Sequence, residues 1–387
     1  MNNFDYYNPT RIILGKDILK TLNDFIPKGS RMLILYENKS LKKYKYLDKI
    51  LDALTDYEVF EFSGIKSQPN FENLIKAIKI VNKKKIDFLL GVGGNSTLDG
   101  TKFVALASSY KGNVQDLLSS SFNIENFKNT NVLPMGMIVT IPSTSSEMNC
   151  CSSIVYNSKK CYIKTPLIFP KFSMLDPTLT YNLPRDIIAG GIVDTFIHLM
   201  EKYLTMSSNN KVQNKMAEGI LRTLLEIGKD TLDNPTDYDL RANLIWCSSI
   251  GASKVINSMP DKDLSSHSIV REIKALFGID NKKALAIVAP SLWHNMRDEK
   301  QEKLLQYATN VLDITYGTEK EKIDLAISKT KQFFQSLGAK THLSDYGIRA
   351  KDIDDMLKYI DHHKMNFLGE NKSSSLDISR KILEESL

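Results

Sequence analysis

Apolar residues follow different spacings in the two halves of the chain. In the first half, short runs of apolar and β-branched residues alternate with segments whose apolar residues recur at helical spacing. This alternation is typical of a parallel sheet covered by helices. The runs predict strands at 32–36, 59–62, 87–92 and 135–142 and helices at 41–54 and 71–82.

From Pro184 onward the chain carries long amphipathic runs and almost no strand pattern. We therefore predict an α/β domain over residues 1–182 and an all-helical domain over 183–387, with chemistry in a cleft between them. The helices are predicted at 189–206, 211–230, 238–256, 265–277, 281–296, 299–312, 320–337 and 351–362.

The segment IDFLLGVGGNSTLDGTK, residues 86–102, is the strongest ligand-binding signal of the first half. The glycines of GVGG permit positive φ and a close approach to a ligand, and Ser96 is a candidate cap of a helix whose N–H groups would face a phosphate. Asp99 and Lys102 return to the same side of that helix and would border the bound group. A tight strand-to-helix connection without a ligand is the alternative.

A hydroxyl-rich segment, TIPSTSSEMNCCSS, follows the strand predicted to end at 142. Its hydroxyl groups could bond a ribose, a nicotinamide or a phosphate, but a serine- and threonine-rich turn explains the pattern equally well. Cys150 and Cys151 have no activating base beside them in the sequence, which argues against a cysteine nucleophile.

Asp194 and His198 lie four residues apart in GGIVDTFIHLMEKY, so two metal-ligand types share one helix face. The spacing alone fits equally well a structural pair in which the aspartate holds the imidazole. His267 lies in another amphipathic run, and a lone histidine in such a run more often has a structural role.

Composition narrows the class of protein. The 387 residues are 42% hydrophobic and 25% charged, and 51 basic against 45 acidic residues give a net charge of +6. The lysines are dispersed, so nucleic-acid binding is not indicated. The four cysteines show no metal-binding spacing, and neither a signal peptide nor a long apolar run is evident. We expect a soluble, cytoplasmic protein without membrane or nucleic-acid partners.

Taken together, these segments resemble the iron-containing, or group III, alcohol dehydrogenases, in particular the butanol dehydrogenase and aldehyde reductase branch. The resemblance implies a Rossmann-like dinucleotide-binding domain of the dehydroquinate synthase type, followed by a helical metal domain. It also implies a homodimer. The motifs that carry it, in chain order, are FDYYNPTRIILGKD, GGNSTLDGTK, TIPSTSSEMN, SMLDP, GGIVDTFIHLMEKY and THLSDYG.

The resemblance places a divalent metal, Fe or Zn, on Asp194, His198, His267 and position 281. After the strand ending at 36, Lys39 and Ser40 could grip a 2′-phosphate, whereas Glu37 could bond a free ribose diol, and we favour NADP(H) over NAD(H). The other residues that the resemblance assigns to the cofactor are Gly93, Gly94, Asn95, Ser96, Asp99, Thr140, Ser143, Ser145 and Lys160.

Four positions depart from the family pattern. Asn281 replaces a histidine ligand, and Arg271 replaces a second histidine near the substrate. An amide oxygen is a poorer ligand than imidazole for Fe²⁺ or Zn²⁺, and a guanidinium repels a cation. Asp280 could turn inward as a replacement ligand. Asn95 and Ser145 stand where the family has glycine.

Three functions are compatible with this pattern. The first is an NAD(P)-dependent, metal-dependent alcohol dehydrogenase or aldehyde reductase on small aliphatic substrates, in which Asp194, His198 and His267 hold the ion. The second is a degenerate relative that keeps the fold but lacks metal-dependent turnover, and the substitutions at Asn281 and Arg271 support it. A dehydroquinate synthase-like or glycerol phosphate enzyme is the third. We favour the first.

Overall fold

The structure is a computed structural model, in which the chain folds into two compact units. The sheet unit comprises Tyr7–Leu183 and Pro235–Ser249, and the helical unit comprises Met1–Tyr6, Pro184–Asn234 and Ile250–Leu387. The predicted domains, 1–182 and 183–387, remain a prediction. The structure describes residues 3–37, 40–65, 68–119, 131–142, 145–157, 159–256, 265–362 and 375–387.

Six parallel strands form the centre of the sheet unit, in the order β1-β8-β5-β4-β2-β3. Two further strands, β6 and β7, pair as an antiparallel hairpin. The four predicted strands are present, whereas the sequence pattern missed β1, β6, β7 and β8. The bounds are β1 Arg11–Leu14, β2 Arg31–Tyr36, β3 Glu58–Ser63, β4 Phe88–Gly93, β5 Met135–Val139, β6 Cys151–Tyr156, β7 Lys159–Lys164 and β8 Phe172–Leu175.

Helices cover this sheet. In α3 the Asn70 side chain caps the first turn by accepting from the Asn73 N–H at 3.0 Å. The helix α4 is buried along most of its length because it packs against both β4 and the β6–β7 hairpin. The bounds are α1 Ser40–Lys43, α2 Tyr46–Asp52, α3 Phe71–Lys84, α4 Asn95–Ser108 and α7 Tyr238–Gly251, most of which belongs to this unit.

The described part of the helical unit contains helices and no strand, as predicted. Its last helix, α13, was not predicted, and α5 begins four residues before the predicted 189. No described helix is long and apolar enough to span a membrane. The bounds are α5 Arg185–Thr205, α6 Lys211–Asp233, α8 Ser265–Phe277, α9 Asn281–Asn295, α10 Gln301–Leu312, α11 Glu319–Ser336, α12 Ala350–His362 and α13 Leu376–Glu385.

Candidate active site

The carboxyl ends of β2, β4 and β5 lie side by side in the sheet. The Thr140 N–H donates to the Gly93 carbonyl at 3.1 Å, and Glu37 directly follows β2. The chain crosses from β3 back over β2 to β4, so the strand order reverses between β2 and β4. Such a reversal marks the ligand-binding crevice of open α/β sheets.

The glycines before α4 serve close packing. None of Gly91, Gly93 and Gly94 has a positive φ, so the prediction that they use this freedom is wrong. A Cβ at Gly91 would lie 2.7 Å from Thr101 Oγ1, and one at Gly93 would lie 2.6 Å from Thr97 Oγ1. Only glycine lets α4 approach the sheet this closely.

The first turn of α4 presents backbone N–H groups at the same edge of the sheet. Its cap is Gly94, which has no side chain to bond these groups, so the prediction that Ser96 caps the helix is wrong. Asn95 and Ser96 lie inside the first turn instead. A helix N-terminus of this kind favours a phosphate group.

Asp99 and Lys102 form a buried network with the hydroxyl-rich segment. The Asp99 carboxylate accepts from Ser146 Oγ at 2.6 Å and from the Ser153 N–H at 3.0 Å. The fully buried Lys102 Nζ lies 3.9 Å from Asp99 and donates to Ser146 Oγ, Asn149 Oδ1 and the Cys151 carbonyl. These acceptors use all three ammonium protons.

This network corrects one prediction. Lys102 does not border a ligand, because its ammonium connects α4 to the segment before β6 and to Cys151, the first residue of β6. Burial lowers the pKa of Lys102 and raises the pKa of Asp99, and attraction between the two charges opposes both shifts. The charge of Lys160 on β7 also acts to lower the pKa of Asp99.

Of the remaining predicted cofactor residues, the structure describes Ser145 and Lys160 in full. Ser145 is buried with φ at +52°, and no described residue bonds its Oγ. Lys160 is exposed, with Nζ 5.2 Å from the centre of the Tyr162 ring. Lys39 and Ser143 lie outside the described residues, and only the backbone of Ser40, the first residue of α1, is described.

In the helical unit, α5 and α8 bring together a cluster of potential metal ligands. His198 Nε2 lies 3.6 Å from Asp194 Oδ1, and the His198 and His267 rings stack with centres 4.5 Å apart. Burial lowers the pKa of His198 despite the neighbouring Asp194 carboxylate, which favours the neutral ring. Neutral imidazole is the form that binds metals.

Glu201 is a member of this cluster that the sequence analysis missed. Its Oε1 lies 3.0 Å from His267 Nδ1, and its Oε2 lies 3.8 Å from His198 Nδ1. One ligand atom from each of these three residues falls within 4.8 Å of the others. The available signal was spacing, since Glu201 follows His198 by three residues on the same helix.

Asn281 is the first residue of α9, which packs against both α5 and α8. Among the described residues its buried Oδ1 has no hydrogen-bond partner, which is costly unless a ligand satisfies it. Asp280 does not turn inward, since it is exposed and its Oδ1 caps α9 by accepting from the Lys282 N–H at 3.0 Å. The unpartnered oxygen therefore fits the predicted fourth position of a cation site.

Arg271 lies one helical turn after His267, and its side chain is 62% exposed. Its Nε lies 3.2 Å from Oε1 of the buried Glu272. Solvent and this carboxylate both weaken the repulsion between the guanidinium and a nearby cation. The substitution at 271 is therefore compatible with a bound metal.

Two family models match the chain. The model of iron-containing alcohol dehydrogenase matches residues 9–177, and the C-terminal model of the Fe-containing alcohol dehydrogenase family matches residues 187–378. The chain therefore belongs to the iron-containing alcohol dehydrogenase family, a class of NAD(P)-dependent oxidoreductases.

Individual relatives support this assignment. The NADPH-dependent aldehyde reductase YqhD of Escherichia coli is 42% identical over 386 residues, covering 99% of both chains. The NADH-dependent butanol dehydrogenase B of Clostridium acetobutylicum is 33% identical, covering 92% of this chain and 93% of its own.

Solved structures agree. The substrate- and cofactor-free form of E. coli YqhD matches with a TM-score of 0.93 at 40% identity and full coverage of both chains. The NADH-dependent butanol dehydrogenase A of Thermotoga maritima matches with a TM-score of 0.89 at 28% identity, covering 100% of this chain and 99% of its own. The predicted fold class and enzyme class are confirmed.

Proposed function

We propose that this chain is an NADP(H)-dependent aldehyde reductase that converts small aliphatic aldehydes to alcohols and uses a divalent cation, Fe²⁺ or Zn²⁺. The observation that carries the proposal is the cluster of Asp194, His198 and His267, together with the buried Oδ1 of Asn281, which has no hydrogen-bond partner in the described part of the chain. Two imidazoles, a carboxylate and an amide oxygen form a donor set suited to such an ion.

In the sheet unit, the first turn of α4 would bind the cofactor pyrophosphate at Gly93, Gly94, Asn95 and Ser96. Thr140, at the end of β5, would line the same groove. Asp99 would act through the turn that it holds in place. Ser143, Ser145 and Lys160 are proposed on the family pattern to complete this groove.

Preference for NADP(H) would come from residues after β2. Lys39 and Ser40 offer a cation and a hydroxyl for a 2′-phosphate, and Glu37 offers a carboxylate for a free diol. The relative at 42% identity is described as NADPH-dependent, whereas that at 33% is described as NADH-dependent. We favour NADP(H) because Lys39 supplies a positive charge for the 2′-phosphate. Without that charge, the Glu37 carboxylate would repel the phosphate.

In the helical unit, Asp194, His198, His267 and Asn281 would hold the cation, which when bound polarises a carbonyl oxygen while reduced nicotinamide supplies a hydride. The product alcohol also gains one proton. A guanidinium is not a general acid, so we assign delivery of this proton to solvent rather than to Arg271. Arg271 would contribute only its charge, by attracting electron-rich substrate oxygen.

The test is reduction of butanal by purified protein loaded with Zn²⁺ or Fe²⁺, followed by NADPH or NADH oxidation. We expect stoichiometric metal and faster turnover with NADPH. Asp194→Asn should lose both metal and activity, whereas Asp298→Asn, a matched change elsewhere in the helical unit, should lose neither.

Metal-free protein at saturating supply, with no turnover of butanal, would instead support a degenerate relative, which the comparisons do not favour. Turnover of a phosphorylated polyol without turnover of simple alcohols would support the third function. Faster turnover with NADH would overturn only the cofactor preference.

The same proposal includes a homodimer. The strand β1 is the outermost strand of the parallel sheet, and an apolar hollow of about 320 Å³ lies beside it, lined by Ile12, Leu14, Ala242, Asn243 and Trp246. Trp246 is 44% exposed. Light scattering during gel filtration should give twice the chain mass of 43.8 kDa, and a single-chain mass would contradict the proposal.

A further inference from the structure

The buried carboxylate of Glu201 joins the two imidazoles of the cation cluster. Only 7% of this residue is exposed, and it lies on α5, whereas its partner His267 lies on α8. Both of its oxygens face imidazole Nδ1 atoms, at 3.0 Å for His267 and 3.8 Å for His198. Ser266 Oγ donates to Oε1 of the same carboxylate.

The two ring nitrogens of His198 face different carboxylates. The Nδ1 atoms point toward Glu201, whereas Nε2 of His198 is the atom near Asp194, at 3.6 Å. A nitrogen that donates a proton to a carboxylate cannot at the same time bind a cation. For His267, whose Nδ1 is within hydrogen-bond distance of Glu201, the ligand atom is consequently Nε2.

We propose that Glu201 is a positioning residue that holds the His267 imidazole as the Nδ1–H tautomer and so prepares its Nε2 for the cation. The bond to His267 is direct, whereas His198 Nδ1 lies beyond hydrogen-bond distance of this carboxylate. Metal-binding histidines commonly donate their second ring nitrogen to such a carboxylate, which fixes the ring and raises its basicity. This inference rests on the proposed cation site.

The alternative is that Glu201 is itself a ligand. Its Oε1 already accepts from Ser266 Oγ and faces His267 Nδ1, so this oxygen is engaged. Asp194 supplies a second carboxylate on the same helix face, and Asn281 offers an oxygen with no other partner. In the orienting role, Glu201 bonds the imidazole, while Asp194 and Asn281 supply the oxygen ligands.

The test is the affinity for Zn²⁺ and Co²⁺, measured by competition with a chromophoric chelator. Glu201→Gln keeps the size of the side chain and removes its charge, and we expect a loss of roughly 10- to 100-fold. Glu218→Gln is the matched control, because Glu218 is another buried glutamate of the helical unit that is bonded by Tyr203 and Asn310 rather than by imidazoles. Its cation affinity should not change.

The Co²⁺ absorption spectrum distinguishes the two roles of Glu201. An orienting role leaves the ligand set intact, so the spectrum of Glu201→Gln should keep its band positions at saturating Co²⁺. A changed spectrum, with an affinity loss as large as that of Asp194→Asn, would show that Glu201 is a ligand. An unchanged affinity would also overturn the proposal.

Nitrogen-15 NMR of the unsubstituted, metal-free protein keeps the inference testable if the variant does not fold or the cation site fails. We expect His267 to carry its proton on Nδ1 at pH 7.5. A proton on Nε2 would overturn the positioning role. Failure of the proposed function would appear separately, as unsubstituted protein that binds no cation.

Discussion

Ser145 combines two unfavourable features at one residue. It adopts φ +52° and ψ +31°, and its buried Oγ lacks a hydrogen-bond partner among the residues that the structure describes. Left-handed backbone costs a residue with a Cβ roughly 1–2 kcal/mol, and glycine avoids this cost. We therefore expect Ser145→Gly to raise the free energy of unfolding by roughly 1 kcal/mol, measured by chemical denaturation.

The neighbouring serine provides the contrast. Ser146 bonds both Asp99 and Lys102, so Ser146→Gly should destabilise the protein by breaking a buried network. A loss of stability in Ser145→Gly would show that its hydroxyl has a partner of its own, such as a bound ligand.

Lys303 is a buried cation whose titration should be visible in stability. Its Nζ donates to Asn214 Oδ1 and Gln306 Oε1, each at 2.8 Å, and lies 3.6 Å from the centre of the Tyr203 ring. Burial lowers the pKa of Lys303 from 10.5 to about 8. Between these values the unfolded chain binds more protons, so the free energy of unfolding rises with pH.

We expect this contribution of Lys303 to grow by about 1 kcal/mol between pH 7 and pH 9. The measurement is the difference in unfolding free energy between the unsubstituted protein and Lys303→Gln, which cannot titrate, at both pH values. A difference that stays constant, or that shrinks as the pH rises, would contradict the depressed pKa.

At the scale of elements, two glycines differ sharply in what surrounds them. A Cβ at Gly136, on β5, would lie 2.3 Å from the ring of Phe172 on β8, whereas one at Gly219, inside α6, would meet nothing within 4 Å. We expect Gly136→Ala to cost roughly 1–3 kcal/mol by overpacking the sheet. Gly219→Ala should instead stabilise α6 by about 0.5–1 kcal/mol.

Thermal unfolding of both variants checks this pair, with Gly219→Ala serving as the control for the substitution itself. Equal unfolding midpoints for the two variants would mean that Phe172 moves aside without a cost in stability. A lower midpoint for Gly219→Ala would mean that α6 has a neighbour on its open side.

The elements that could be predicted from the sequence are those with a long or strongly apolar pattern. The helix α12 buries four apolar residues on one face, and β4 is buried along its length. By contrast, β1 and β8 have four residues each, too few to show a period. The β6–β7 hairpin is half exposed and rich in lysine and serine, so its pairing depends on the cover that α4 provides.

At the scale of the whole molecule, the two proposed ligands should protect different units from hydrogen exchange. A cation that binds only the folded state stabilises it by about 2.7 kcal/mol at one hundred times its dissociation constant. We expect Zn²⁺ to slow exchange in α5 and α8, and NADPH to slow exchange in the first turn of α4. Mass spectrometry of peptic peptides measures both.

Asp194→Asn should abolish the protection by Zn²⁺ and leave the protection by NADPH of the α4 peptides in place. Protection of the β4–α4 region by Zn²⁺ in the absence of NADPH would place the cation in the sheet unit. That result would contradict the assignment of Asp194, His198 and His267.

The sequence by itself determined the family, the alternation of strands and helices, and the pairing of Asp194 with His198, because these depend on motifs and spacings within short stretches of chain. Only the tertiary structure decided that Glu201 contacts His267 and that Pro235–Ser249 joins the sheet unit. It also decided that Lys102 is buried in a hydrogen-bond network. Glu201 and His267 are 66 residues apart. Packing of helices decides such contacts, and no local pattern records which faces will meet.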